Sequence, residues 1–288
     1  MNSAAGIGAL HIQRAQTTAM IDTIRVGDLT VLRGMPARAA RGPVLFVHGY
    51  FADASIFAGW LDFLAARGTP AYALNLRGRA GSHPGTDLGR VSIDEFASDA
   101  ETVARHLGTP AVVGHSMGGL IAQLLAERHV VREAVLVSPA PPRGISVLSP
   151  TVTFRQLEYL PAMLMGRCVR PSRRVMRALV LNHLPASEQD EVFDRLIPDS
   201  GRAALEMALR GVPVDAHRIH CPMLVIAAGD DRFIPARIAR RIAARYGAQL
   251  DLVEQHGHML PIEPGWEALA ATVIRWIDAH EPHRPGAH

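Results

Sequence analysis

Short runs of consecutive apolar residues recur along the chain at 43–47, 71–74, 111–113, 134–137 and 222–227. Runs with no polar face read as strands buried on both sides of a parallel sheet. Between them the pattern changes to helical spacing. Segment 55–67 carries Ile56, Trp60, Phe63 and Leu64 on one stripe, and 117–127, 236–246 and 266–279 repeat the pattern. Ser92 and Glu95 form a capping box opening a helix to about residue 107, and Gly247 stands where a left-handed cap ends the helix before it. A further strand is expected at 250–253. Two more, at 21–26 and 29–33, flank the turn pair Gly27-Asp28 as a hairpin.

This order of elements predicts an α/β fold: a mostly parallel central sheet of about eight strands with helices on both faces. The alternation stops at 140–217, which holds Pro141 and Pro142, several helical segments and no clear strand. A stretch of that length is too long for a loop and reads as an inserted helical lid, or cap, domain. The expected organisation is a core of 21–139 and 218–280, a lid at 140–217, and loose termini at 1–20 and 281–288.

Composition narrows the chemistry. The chain is 48% hydrophobic and 20% charged, as globular proteins are. All 30 basic residues are arginine, so a Schiff-base lysine, a Ser-Lys dyad and a phosphate-loop lysine are ruled out. A net charge of +3 does not suggest nucleic-acid binding. The local cluster Arg167, Arg170, Arg173, Arg174 and Arg177 reads as a solvated helix face, or else as a rim for an acidic substrate or partner. Two cysteines, Cys168 and Cys221, make neither a disulfide framework nor a zinc pattern. No secretory signal and no apolar stretch of membrane-spanning length is visible, so stable membrane insertion is not expected. The expected location is the cytoplasm; oligomeric state is not legible.

The strongest chemical signal is Gly114-His115-Ser116-Met117-Gly118-Gly119, a G-x-S-x-G motif between a predicted strand and a predicted helix. A strand-to-helix reversal this tight holds the serine in a strained conformation with its hydroxyl presented, and side chains at 114 and 118 would collide within it. The helix start directs backbone N–H groups at developing negative charge.

With this motif the sequence resembles the α/β-hydrolase family, of the serine esterase and lipase kind with a helical lid. The resemblance implies the remaining machinery. His48-Gly49-Tyr50-Phe51 looks like the family's oxyanion loop, making the N–H groups of Tyr50 and Met117 the oxyanion donors and His48 a structural tie. Leu76-Arg77-Gly78-Arg79-Ala80-Gly81-Ser82 resembles a family turn, with Arg79 where histidine is usual, and is taken as a structural marker. Asp231, four residues before Pro235, is implied as the triad acid, with Asp230 as competitor and more suited to capping the turn. His258 in Gly257-His258 is implied as base, with His256 as the alternative. The order Ser116, Asp231, His258 is the one this fold uses.

The function implied is hydrolysis of a carboxylic ester, or related acyl bond, of a small to medium apolar molecule through an acyl-enzyme. Serine at 116 argues against the haloalkane and epoxide chemistry that an aspartate nucleophile would suggest. Perhydrolase, lactonase, carbon–carbon hydrolase and acyltransferase activities would use the same triad, and a ligand-binding receptor without turnover is a further alternative. Phe51, His115, Tyr159, Leu160, Met163 and Met259 are the candidate substrate-binding residues. Other apolar lid residues (Leu157, Leu164, Met165, Leu179 and Leu184) read mostly as lid core. No metal or other cofactor is expected.

Overall fold

The structure is a computed structural model and describes residues 21–146, 154 and 157–281. The expectations for 1–20 and 282–288 lie outside the described residues, as does part of the segment expected to form the lid.

Among the described residues, eight strands form one sheet: β1 (Ile21–Val26), β2 (Leu29–Gly34), β3 (Val44–Val47), β4 (Ala71–Asn75), β5 (Ala111–His115), β6 (Glu133–Val137), β7 (Met223–Ala228) and β8 (Gln249–Val253). Their spatial order is β1-β2-β4-β3-β5-β6-β7-β8. The β1–β2 hairpin joins β4 antiparallel, and every later pairing is parallel. The chain steps outward from β3 to β4 and then returns to place β5 on the other side of β3. Such a reversal opens a crevice at the carboxyl ends of the neighbouring strands.

Among the described residues, five helices cover the sheet: α1 (Ala58–Ala65), α2 (Ile93–His106), α3 (Met117–Glu127), α8 (Ala236–Tyr246) and α9 (Trp266–His280). The apolar runs bury both faces by simple alternation. Leu45, Val47, Val112, Leu136 and Val225 pack with α2, α3 and α8, whereas Val44, Phe46, Val113, Val135, Leu224 and Ile226 pack with α1 and α9. Helix α2 starts with both hydrogen bonds of the Ser92/Glu95 capping box, and α8 ends at Gly247 in the left-handed region, φ 60°.

Between β6 and β7 the chain forms short helices: α4 (Leu160–Leu164), α5 (Arg173–Leu179), α6 (Ala186–Asp194) and α7 (Gly201–Leu205). These share a separate apolar cluster of Met163, Val169, Val175, Met176, Leu179, Val180, Leu181 and Leu184, to which Phe51 and Met259 contribute from the loops after β3 and β8. The inserted segment is therefore seated on the carboxyl edge of the sheet. Three arginines of its cluster form ion pairs within the insertion: Arg173 with Asp190 and Asp194, Arg177 with Asp190, and Arg174 with Glu158. No helix among the described residues is long and apolar enough to cross a membrane.

Candidate active site

Four loops at the carboxyl edge converge on Ser116. The chain turns there from β5 into α3 with Ser116 at φ 53°, ψ −116°, a conformation that costs a non-glycine residue on the order of 1–3 kcal/mol. The turn is held from both sides. The Ser116 N–H donates to the Val137 carbonyl at 3.0 Å, and the Ser116 carbonyl accepts from Gly119 and Ala140, each at 2.9 Å. The glycines are required by contact: a Cβ on Gly114 would stand 2.1 Å from the Gly118 carbonyl oxygen, and one on Gly118 would stand 2.0 Å from that of Val47.

His258 arrives from the loop after β8. Its Nε2 lies 3.0 Å from Ser116 Oγ and its Nδ1 lies 2.7 Å from Asp231 Oδ2, all three side chains being buried. The other Asp231 oxygen accepts the N–H groups of Phe233 and Ile234 at 2.8 and 2.7 Å. One carboxylate oxygen is thus committed to the turn and the other to the imidazole. With Nδ1–H donating to Asp231, Nε2 is left as the acceptor for the Ser116 hydroxyl.

Asp231 itself caps the turn, a task the sequence reading gave to Asp230. Asp230 instead points outward, with Oδ2 3.2 Å from His183 Nε2 of the insertion. His256 does not reach the serine: its ring lies against the carbonyls of Glu254 and Pro264.

Two groups around His258 could not be assigned from spacing alone. The buried Glu263 carboxylate accepts the N–H groups on either side of the histidine, from Gly257 at 2.7 Å and Met259 at 3.0 Å. Glu263 stands five residues past His258, just before Pro264, and that juxtaposition was the only signal available. His115 Nε2 lies 2.8 Å from the His258 carbonyl, so Nε2 carries the proton and donates. Burial is the main cause of its pKa falling to about 3, the neighbouring His258 adds to the fall, and the hydrogen bond to the His258 carbonyl opposes it. His115 is therefore neutral at ordinary pH.

The loop after β3 faces Ser116 from the other side. The Gly49 carbonyl accepts from His48 Nδ1 at 2.9 Å and from the Ala52 N–H at 3.4 Å. Both contacts fix the peptide plane whose opposite edge carries the Tyr50 N–H. The Leu76 N–H donates to His48 Nε2 at 3.4 Å, which sets the Nδ1–H tautomer. Full burial, with the Arg79 charge nearby, holds His48 well below the ordinary imidazole range. This histidine is a neutral tie.

The cavity over Ser116, about 110 Å³, is lined by apolar side chains from both the core loops and the insertion. Of the six candidate substrate-binding residues, Phe51, His115, Tyr159, Met163 and Met259 line it. Leu160 does not: Tyr159 and Met163 are four residues apart and share the inward face, and Leu160 lies one step, about 100°, around the same turn. Leu157, Leu164 and Met165 are exposed rather than part of a lid core. Val175, Met176, Val180, Met207 and Phe233 also line the cavity. The helical turns that carry Val175, Met176, Val180 and Met207 are too short for a periodic pattern to assign an inward face, and Phe233 stands in the loop after β7. Among the described residues no group of three or more His, Cys, Asp or Glu could hold a metal ion.

A family model described as the alpha/beta hydrolase family matches residues 44–272. The chain is 28% identical over 258 residues to a pimeloyl-[acyl-carrier protein] methyl ester esterase of Neisseria meningitidis, covering 82% of this chain and 76% of that protein. It is also 28% identical to the magnesium-chelatase 30 kDa subunit of Rhodobacter capsulatus, covering 83% and 88%. Among solved structures, a monoacylglycerol lipase of Paleococcus ferrophilus superposes with a TM-score of 0.67 at 22% identity, covering 88% of this chain and all of that one. A thermophilic esterase of Thermogutta terrifontis gives 0.66 at 21%, covering 91% and 98%. At those identities the structural likeness speaks for the fold.

Proposed function

The chain belongs to the α/β-hydrolase family, and we propose that within it the protein is a serine hydrolase cleaving a carboxylic ester of a small to medium apolar molecule. The observation that carries this is the relay Asp231–His258–Ser116, at 2.7 and 3.0 Å, opening into an apolar cavity. His258 takes the hydroxyl proton as Ser116 Oγ attacks the ester carbonyl carbon. The carbonyl π electrons move to oxygen, and the N–H groups of Tyr50 and Met117 stabilise that oxyanion. Collapse expels the alcohol, which takes the proton from His258. Water then attacks the acyl-enzyme with His258 again as base, releasing the acid and restoring the serine. The inserted helices of 140–217 serve as a lid that keeps bulk water from the cavity. The relatives named as ester hydrolases agree with this reading. Placement in the cytoplasm rests on the two free thiols, Cys168 and Cys221, which suit a reducing compartment.

The cavity lining also limits the substrate. Among the described residues that form it there is no Arg, Asp or Glu, and the N–H of each histidine is already donated, that of His115 to the His258 carbonyl and that of His258 to Asp231. A charged acyl chain would lose its hydration without gaining a partner, at a cost of several kcal/mol. We expect p-nitrophenyl butyrate to be hydrolysed by the parent and not by Ser116→Ala. The half-ester mono-p-nitrophenyl succinate, similar in length but ending in a carboxylate, is expected to show kcat/KM about 100-fold lower or less. Equal rates on the two esters would refute the neutral-substrate assignment. Absence of hydrolysis across short and medium chains, with Ser116 still reactive, would refute the ester assignment itself.

A further inference from the structure

The loop that carries the Tyr50 N–H is held by the inserted segment as well as by the core contacts on the Gly49 carbonyl. Phe51 adopts φ 65°, in the region that side chains rarely enter, and such a conformation persists only where its surroundings enforce it. The enforcing contacts come from 197–200. The Phe51 N–H donates to Asp199 Oδ2 at 2.8 Å, the Ile197 N–H donates to the Phe51 carbonyl at 3.0 Å, and the Tyr50 hydroxyl donates to the Ser200 carbonyl at 2.7 Å.

Asp199 is in turn matched by Arg79. Both side chains are 0% exposed, and Arg79 Nη2 stands 2.5 Å from Asp199 Oδ2. The same guanidinium grips the core: Nε donates to the Ala52 carbonyl at 3.1 Å, Nη1 donates to the Arg77 carbonyl at 2.9 Å, and the group lies over the Phe96 ring at 4.8 Å. The other Asp199 oxygen accepts the Ser200 N–H at 2.7 Å, and its backbone pairs with Val169. A buried ion pair bought for stability alone is a poor investment, since apolar residues of similar size often serve as well. This one sits where three chain segments meet, one of them two residues from the nucleophile's oxyanion donor.

We infer that Arg79 and Asp199 are positioning residues for the oxyanion step: through Phe51 and Ala52 they hold the Tyr50 N–H aimed at the reacting oxygen, so that the docked insertion completes the oxyanion site as well as covering it. The inference rests on the serine-hydrolase reading above. It assigns the Arg77–Ser82 turn more than the marker role expected from sequence.

The test uses the full-length protein, p-nitrophenyl butyrate, and butylboronic acid, which adds to the Ser116 hydroxyl to form a tetrahedral mimic. Rates are expressed per site that reacts with a fluorophosphonate, so that only folded sites count. Asp199→Asn leaves Arg79 buried without a counter-charge. The double variant Arg79→Met with Asp199→Leu removes both charges, keeps the volume and removes the tie to Phe51. In both, kcat is expected to fall on the order of 10–100-fold, less than the loss of a whole oxyanion donor. KM should stay within about threefold, and boronate inhibition should weaken by the factor lost in kcat. A purely structural pair would lower the melting temperature and move neither ratio. The inference is overturned if either variant retains parent kcat and boronate affinity within about threefold, or if the loss falls in KM. If the parent itself shows no Ser116-dependent hydrolysis, the underlying reading fails along with it; an active parent beside parent-like variants overturns the positioning role alone.

Discussion

Alanine in place of His258 is expected to lower kcat on p-nitrophenyl butyrate by on the order of 10⁴–10⁶, with KM little changed. The size follows from what the imidazole does. At neutral pH the Ser116 hydroxyl is un-ionised and a weak nucleophile, and Nε2 at 3.0 Å is the acceptor positioned for its proton. Among the described residues that line the cavity, the other imidazole is that of His115, and burial, which brings its pKa down to about 3, makes it a poor proton acceptor. Ser116→Ala should be no less damaging, and the double variant little worse than either single one, because residues of such a relay act as a unit. Steady-state kinetics on protein with an unchanged circular dichroism spectrum decide the matter. A loss under about 100-fold for His258→Ala would mean that another group takes the proton.

The second large effect concerns the turn rather than the reacting atoms. In Gly118→Ala, the new Cβ would meet the Val47 carbonyl oxygen at 2.0 Å, the Val47 carbonyl carbon at 2.6 Å and the His48 carbonyl oxygen at 2.7 Å. These are all backbone atoms of β3 and the loop that follows, so relief requires the central sheet and the Ser116 turn to separate. Contacts of this kind fall in the class costing more than about 4 kcal/mol, a large part of a total stability of about 5–15 kcal/mol. We expect the variant either to be insoluble or to melt at least about 8 °C lower, with no measurable esterase activity. Gly85→Ala is the control. Unlike Gly118 it has a positive φ, 86°, but nothing lies within 4 Å of its new Cβ, and it should cost about 1 kcal/mol. A Gly118→Ala protein that melted like this control would show that α3 does not pack as closely on β3 as described.

Both effects depend on features that local sequence displays with unequal clarity. The strand-and-helix frame was legible because each element carries its own punctuation: the Ser92/Glu95 box opens α2, Gly247 closes α8, and the apolar runs of β3, β5, β6 and β7 have no polar face to make them ambiguous. Ser116 was legible because its turn demands glycine at 114 and 118 within five residues. Asp231 and His258 depend on resemblance, since nothing in their own neighbourhoods excludes Asp230 or His256. What separates the members of each pair is where the strand end points them, a tertiary property. The order of strands was not legible either, because periodicity names elements and not their partners.

The least legible part lies in long-range polar pairing. Arg79 and Asp199 are far apart in sequence, and each looks like an ordinary surface charge until the fold buries both. The inserted helices are short, so their inward faces cannot be read from spacing. That is why Met163 was identified for the cavity wall, Leu160 was wrongly placed beside it, and Val175, Met176 and Val180 were missed. The Arg173 and Arg177 pairings with Asp190 likewise depend on how α5 and α6 lie together, which single-helix patterns do not encode.

If the proposed mechanism holds, one hydroxyl in this chain, that of Ser116, is an activated nucleophile. The most direct measurement is exposure of the native protein to a fluorophosphonate, followed by peptide mass spectrometry. The expected result is stoichiometric labelling at Ser116 alone, abolished in Ser116→Ala and slowed at least about 100-fold in His258→Ala. No label on native protein, a label on a different serine, or labelling at Ser116 that proceeds undiminished without His258 would contradict it.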